Sequence, residues 1–170
     1  MKILYIGFKG KNNASCQLVE QINPSEKLLL TNSFGSIKRD LDSIPLESYD
    51  LIIMFGINKN LKDKLIIEVN SSFNCEHLST KVDYKELKTM INDYEIVAEL
   101  NYISTKYLCN YAYHNTLLRN KNSIFIHIPG LSKITDFNKV VSVFKDIYNP
   151  NYLGYTNISV NTKCWHFYFF

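Results

Sequence analysis

The chain has no Cys-x-x-Cys pair, no glycine-rich phosphate loop, no apolar run of membrane-spanning length and no block of like charges. Each gap excludes something. Its four cysteines, Cys16, Cys75, Cys109 and Cys164, are scattered over 170 residues, which argues against a zinc site or a disulfide framework and fits a reducing cytosol. Without a long apolar stretch there is no span to cross a bilayer. The opening run from Met1 to Gly7 meets its glycine too soon to be a signal peptide. A cytoplasmic protein with no membrane partner is expected. The formal charge is only +3 and the lysines are spread along the chain, which describes a solvated surface rather than a nucleic-acid groove. The heavy use of Asn, Lys, Ile and Tyr is a compositional bias from which no function follows.

What is present is an alternation of strands and helices, with enough apolar residues (46%) to bury a core. Lys2 to Phe8 is short and apolar, ends at Gly7-Phe8 and a polar loop, and reads as a buried first strand. Leu18, Val19 and Ile22 share one helical face behind an Asn13 cap, with Asn23-Pro24 as the stop. Lys27 to Thr31 is a second strand, and Ser36 to Leu41 a short helix before Pro45. Asp50 to Gly56 is a continuous apolar run ended by glycine, the pattern of a central parallel strand covered on both faces. Ser71 to Lys81 reads as loop. Asp83-Tyr84-Lys85-Glu86 has capping-box spacing flanked by Val82 and Leu87, and Leu87, Met90, Ile91 and Tyr94 continue at helical period. Ile96 to Tyr102 is the next strand. A final stripe of Phe137, Val140, Val141, Phe144, Ile147 and Tyr148 is capped by Thr135 or Asp136 and stopped by Asn149-Pro150.

This order predicts one α/β domain over residues 1–150, a three-layer sandwich around a mostly parallel mixed sheet. Residues 151–170 form a tail with five aromatics in its last six positions. That is too apolar for water, so the tail is expected to pack on the domain or on a neighbouring subunit of a homo-oligomer.

The chemistry concentrates between Asn101 and Gly130. Cys109 falls near the start of a predicted helix and His127 in the strand after it, 18 residues on. A helix followed by a strand folds back, so the two side chains can meet at one end of a sheet. A thiol needs a base within hydrogen-bond reach, and histidine is the usual one. The positive end of the helix is expected to favour thiolate, which an ordinary cysteine forms only to about 3% at pH 7. On spacing alone, a buried free cysteine and a core histidine account for the same residues.

The wording of the stretch adds to this. Tyr107-Leu108-Cys109-Asn110, followed by Tyr111 and Tyr113, and then Phe125-Ile126-His127-Ile128-Pro129, closely resemble the active-site region of the pyroglutamyl peptidases. These are cytosolic cysteine peptidases that remove an N-terminal pyroglutamyl residue. The resemblance runs over roughly residues 2 to 148, with shortened loops. It implies a fold related to the purine nucleoside phosphorylases, with Cys109 as nucleophile and His127 as its base. It also implies a peptide or small amide as substrate and no metal or organic cofactor. Gly7, Phe8, Gly56, Tyr107 and Leu108 stand where the family binds substrate, although the second aromatic of the first loop and its glycine pair are missing. The orienting acid falls on Asp63 if Asp63-Lys64-Leu65-Ile66-Ile67 is matched to the family's acidic segment, with Glu68 as the alternative. Two other readings stay open, a homologue that only binds a ligand or partner, and an amidohydrolase that uses the same Cys-His pair on another acyl amide.

Overall fold

The continuous apolar runs build the middle of the sheet. In the computed structural model, residues 1–105 and 107–146 are described. Strands β1 (Ile3–Phe8) and β3 (Leu51–Ile57) are buried along nearly their whole length. Ile52, Ile53, Met54 and Phe55 are fully buried, each contributing roughly 1.5–3 kcal/mol of hydrophobic stabilisation. A strand covered on both faces has no need of alternation, which is why β3 reads as an unbroken run.

The elements follow in the order β1, α1 (Ala14–Ile22), β2 (Lys27–Leu30), α2 (Phe34–Asp42), β3, β4 (Lys64–Glu68), β5 (Asn70–Phe73), β6 (Glu76–Ser79), α3 (Tyr84–Asp93), β7 (Val97–Asn101), α4 (Leu108–Arg119), β8 (Ser123–Ile128) and α5 (Phe137–Asp146). Six strands form one sheet in the order β2-β1-β3-β8-β4-β7. The first four run parallel, β4 lies antiparallel to β8, and β7 is parallel to β4. Residues such as Ile53, Phe55, Ile126 and Ile67 face α1, α3 and α5 in one core layer. Leu4, Ile6, Ile52, Met54 and Phe125 face α2 and α4 in the other. The result is a three-layer α/β sandwich around a mostly parallel mixed sheet. No described helix is long and apolar enough to cross a membrane.

Most helix starts follow local chemistry. Asn13 Oδ1 accepts from the amides of Ser15 and Cys16, and Asn23 closes α1 in the left-handed conformation. Asp83 accepts from the amides of Lys85 and Glu86, and Asp136 accepts from Lys139 N at 2.9 Å. Helix α4 differs: its cap is Tyr107, which makes no side-chain capping bond, so neither Ser104 nor Thr105 caps it. The helix begins too far along the chain for either.

The segment expected as loop, residues 71–81, contains a hairpin instead. β5 and β6 pair antiparallel from Asn70↔Ser79 to Phe73↔Glu76. The two linking residues, Asn74 and Cys75, both have positive φ, 48° and 64°, as a tight two-residue turn requires. The hairpin packs on α4, where Asn110 accepts from Ser71 Oγ at 2.8 Å and donates to the Ser72 carbonyl at 2.8 Å. The aromatic tail, and the Asn149-Pro150 stop before it, lie outside the described residues.

Candidate active site

Four neighbouring elements deliver the site to the α4 face of the sheet. Along β8, side chains alternate between faces, so Phe125 and His127 share one. Glu68 of β4 is the antiparallel partner of Phe125, and Gly56 of β3 the parallel partner of His127. Directly paired residues point to the same side. Glu68, Phe125, His127 and the bare Cα of Gly56 therefore look toward α4 together.

His127 Nδ1 lies 2.8 Å from Glu68 Oε1, and both residues are buried. A carboxylate oxygen facing Nδ1 fixes that nitrogen as the donor, which leaves Nε2 with its lone pair free to act as a base. The edge of Phe125 packs on the imidazole, with ring centroids 4.9 Å apart. Cys109, the second residue of α4, reaches this group over Gly56. A Cβ on Gly56 would stand 3.0 Å from Cys109 Sγ and 2.5 Å from Phe125 Cζ. Glycine is what allows the thiol to settle this close to the strand.

Burial pushes the Cys109 thiol up to about 11. A backbone hydrogen bond at Cys109 itself offsets part of this, and the charge on Glu68 adds to it. The position at the start of a helix was expected to favour thiolate; loss of water and a nearby carboxylate outweigh it here. The Cys109 thiol is therefore protonated at neutral pH.

The acid at His127 is Glu68, and Asp63 is elsewhere. Asp63 lies just before β4 with φ 48°, and its carboxylate accepts from Thr135 N at 2.6 Å and Thr135 Oγ1 at 2.9 Å. Those bonds hold it below its usual carboxylate range. It closes a turn before α5, near the other end of β4 from Glu68. The expected substrate-side residues divide in the same way. Tyr107 is exposed at the start of α4, and Leu108 packs on the core layer beneath it. Phe8 is only 3% exposed and belongs to that core layer, so it offers no open wall to a ligand. A Cβ on Gly7 would stand 2.7 Å from the Ser15 carbonyl oxygen, so that glycine serves the close packing of α1 on β1.

Beside the imidazole lies a hollow of about 10 Å³ lined by Glu68, Asn70, Thr105, Asn110, Tyr113, Phe125 and His127, room for one water molecule. Tyr113 is buried there and donates from its hydroxyl to the Glu68 carbonyl at 3.1 Å, which fixes the β4 backbone under the acid. Asn110, half of the Cys-Asn pair, ties α4 to β5 instead of reaching the imidazole. Among the described residues, no three His, Cys, Asp or Glu side chains gather as a metal site.

Fold and site together define a three-layer α/β domain with a thiol, an imidazole and a carboxylate clustered on one face of its sheet. By sequence, no family model and no curated protein matches it. By structure, it is similar to pyroglutamyl peptidase I from Bacillus amyloliquefaciens (TM-score 0.72, 17% identity, 85% of this chain and 91% of that one). It is also similar to the pyrrolidone carboxyl peptidases of Thermus thermophilus (TM-score 0.71, 16% identity, 84% and 96% covered) and Thermococcus litoralis (TM-score 0.68, 16% identity, 85% and 90% covered). The chain has the fold of these peptidases.

Proposed function

We propose that this chain is a cysteine exopeptidase that hydrolyses the amide bond after an N-terminal pyroglutamyl residue. The observation that carries the reading is the buried Glu68–His127 pair at 2.8 Å, with the Cys109 sulfur lying over Gly56, the strand partner of His127. The shared fold and the Cys109-Asn110 and Phe125 to Pro129 wording support the choice of substrate.

Cys109 Sγ attacks the pyroglutamyl carbonyl carbon while its proton passes to His127 Nε2. Glu68 keeps Nδ1–H in place and stabilises the imidazolium that forms. The helix start has no side-chain cap, so its first amides are available to hold the oxyanion. Collapse of the tetrahedral intermediate breaks the C–N bond, and His127 returns its proton to the departing amine. Water, deprotonated by the same imidazole, then hydrolyses the thioester and restores the thiol. With the thiol protonated at rest, proton transfer accompanies attack instead of preceding it. A lactam ring is larger than the hollow beside His127, so binding must widen it.

A second reading shares this machinery, an amidohydrolase acting on a smaller acyl amide. The small hollow and the buried Phe8 favour it. The test is hydrolysis of a fluorogenic pyroglutamyl amide beside a panel of acetyl, formyl and prolyl amides, using wild type and Cys109→Ser. Release from the pyroglutamyl substrate that Cys109→Ser abolishes supports the proposal. Release from another amide alone moves the assignment to that acyl group, and no release from any of them overturns both enzyme readings.

A further inference from the structure

We infer that Asn101 is a positioning residue that sets the proton affinity of His127 through Glu68. The inference rests on the reading of Cys109, His127 and Glu68 as the site. Glu68 is buried and has two oxygens to satisfy. Oε1 faces His127, and Oε2 accepts from Asn101 Nδ2 at 2.7 Å. No lysine or arginine pairs with it among the described residues' ion pairs; its partner there is the imidazole, which is charged only when protonated. The amide of Asn101 is therefore the group that holds the second oxygen of the carboxylate while the first faces His127.

The orientation of that amide is set by its own partners. Asn101 Oδ1 accepts from Ile103 N at 3.1 Å, while Nδ2 donates to the Ile103 carbonyl at 2.8 Å as well as to Glu68. A flipped amide would oppose all three contacts. The same side chain thus joins the end of β7, the turn that leads toward α4 and Cys109, and the acid behind the base. The titratable groups that face the pair from its neighbours are Cys109 and Tyr113, both on α4. The other residues around the hollow, Asn70, Thr105, Asn110 and Phe125, carry no ionisable group.

The sign of the effect follows from the dipole. An N–H pointing at Glu68 partly offsets its negative charge, which lowers the pull of the carboxylate on an imidazolium proton. Removing the donor should raise the pH at which His127 protonates, and replacing it with a second carboxylate should raise it further.

The experiment is a titration of the His127 imidazole by NMR in wild type, Asn101→Ala and Asn101→Asp, each also in a Glu68→Gln background. The expected midpoint rises in Asn101→Ala and rises further in Asn101→Asp. With Glu68→Gln the Asn101→Ala shift disappears, because the path through the carboxylate is gone. If Asn101→Asp does not fold, Asn101→Ala and its double variant decide alone. An Asn101→Ala midpoint equal to wild type in folded protein, or a shift that survives Glu68→Gln, overturns the inference and leaves Asn101 as a turn residue. The readout needs no turnover, so an inactive wild type would sink the peptidase proposal without touching this one.

Discussion

Cys109 should be a slow thiol at neutral pH, and the expected size of the effect can be worked out. With burial and Glu68 pushing it up to about 11, about one molecule in ten thousand carries the thiolate at pH 7. An ordinary thiol near 8.5 carries about three in a hundred, roughly 300-fold more. A more basic thiolate is also the better nucleophile, and with a Brønsted slope of about 0.4–0.5 this recovers about tenfold. Alkylation by iodoacetamide should then run about 30-fold slower than for an unperturbed thiol, before any shielding by the protein. The assay is mass-resolved labelling of each cysteine in folded protein from pH 6 to 11. Cys75, which is exposed, should label first, and the Cys109 rate should still be climbing above pH 10. Glu68→Gln removes the carboxylate's charge and should move that rise to lower pH. Labelling of Cys109 at pH 7 as fast as Cys75, or a midpoint below about 8.5, would refute the argument and restore a preformed thiolate–imidazolium pair.

Two other substitutions probe the same geometry. Gly56→Ala puts a Cβ 2.5 Å from Phe125 Cζ and 3.0 Å from Cys109 Sγ; overpacking of this kind should cost about 1–3 kcal/mol, lowering the thermal midpoint by about 2–4 °C per kcal/mol. Adding Phe125→Leu should recover part of that loss, and a Gly56→Ala protein as stable as wild type would mean the contact is slack. On the proposed function, Glu68→Gln should lower amide turnover by about 10²–10⁴-fold, whereas Asp63→Asn should loosen the turn at Thr135 and leave turnover unchanged; the reverse pattern in a kinetic assay would return the orienting role to Asp63.

Much of this fold was legible because β1 and β3 announce themselves as apolar runs and α1, α3 and α5 as periodic stripes with caps. The hairpin was not, because Asn-Ser-Ser-Phe and Glu-His-Leu-Ser are too polar to show alternation, and its stability comes from packing on α4. The signal that was available is the short Asn74-Cys75 link between two residues of β5 and β6, with asparagine in a left-handed position and cysteine where glycine is usual. Cys109 and His127 could be found by wording, since both lie in contiguous motifs. The acid could not be settled that way. Asp63 immediately precedes the five-residue strand that Glu68 ends, and only the antiparallel register of β4 on β8 decides which carboxylate faces the imidazole. The elevated thiol was also out of reach, because a helix start is visible in sequence and the dryness of its surroundings is not.

The antiparallel join of β4 to β8 divides the sheet into two parallel halves, β2-β1-β3-β8 and β4-β7. Only three residues of β4 pair across that join, against six of β8 with β3. His127 belongs to one half and its partner Glu68 to the other, 59 residues apart in the chain. Cooperative opening of the protein would run first along this seam. Unzipping β4 from β8 would part Glu68 from His127 while β3, β8 and Gly56 kept their places, so hydrogen exchange at the amides of Ile66 and Glu68, which face β8, would report loss of the Glu68–His127 contact well before loss of the fold.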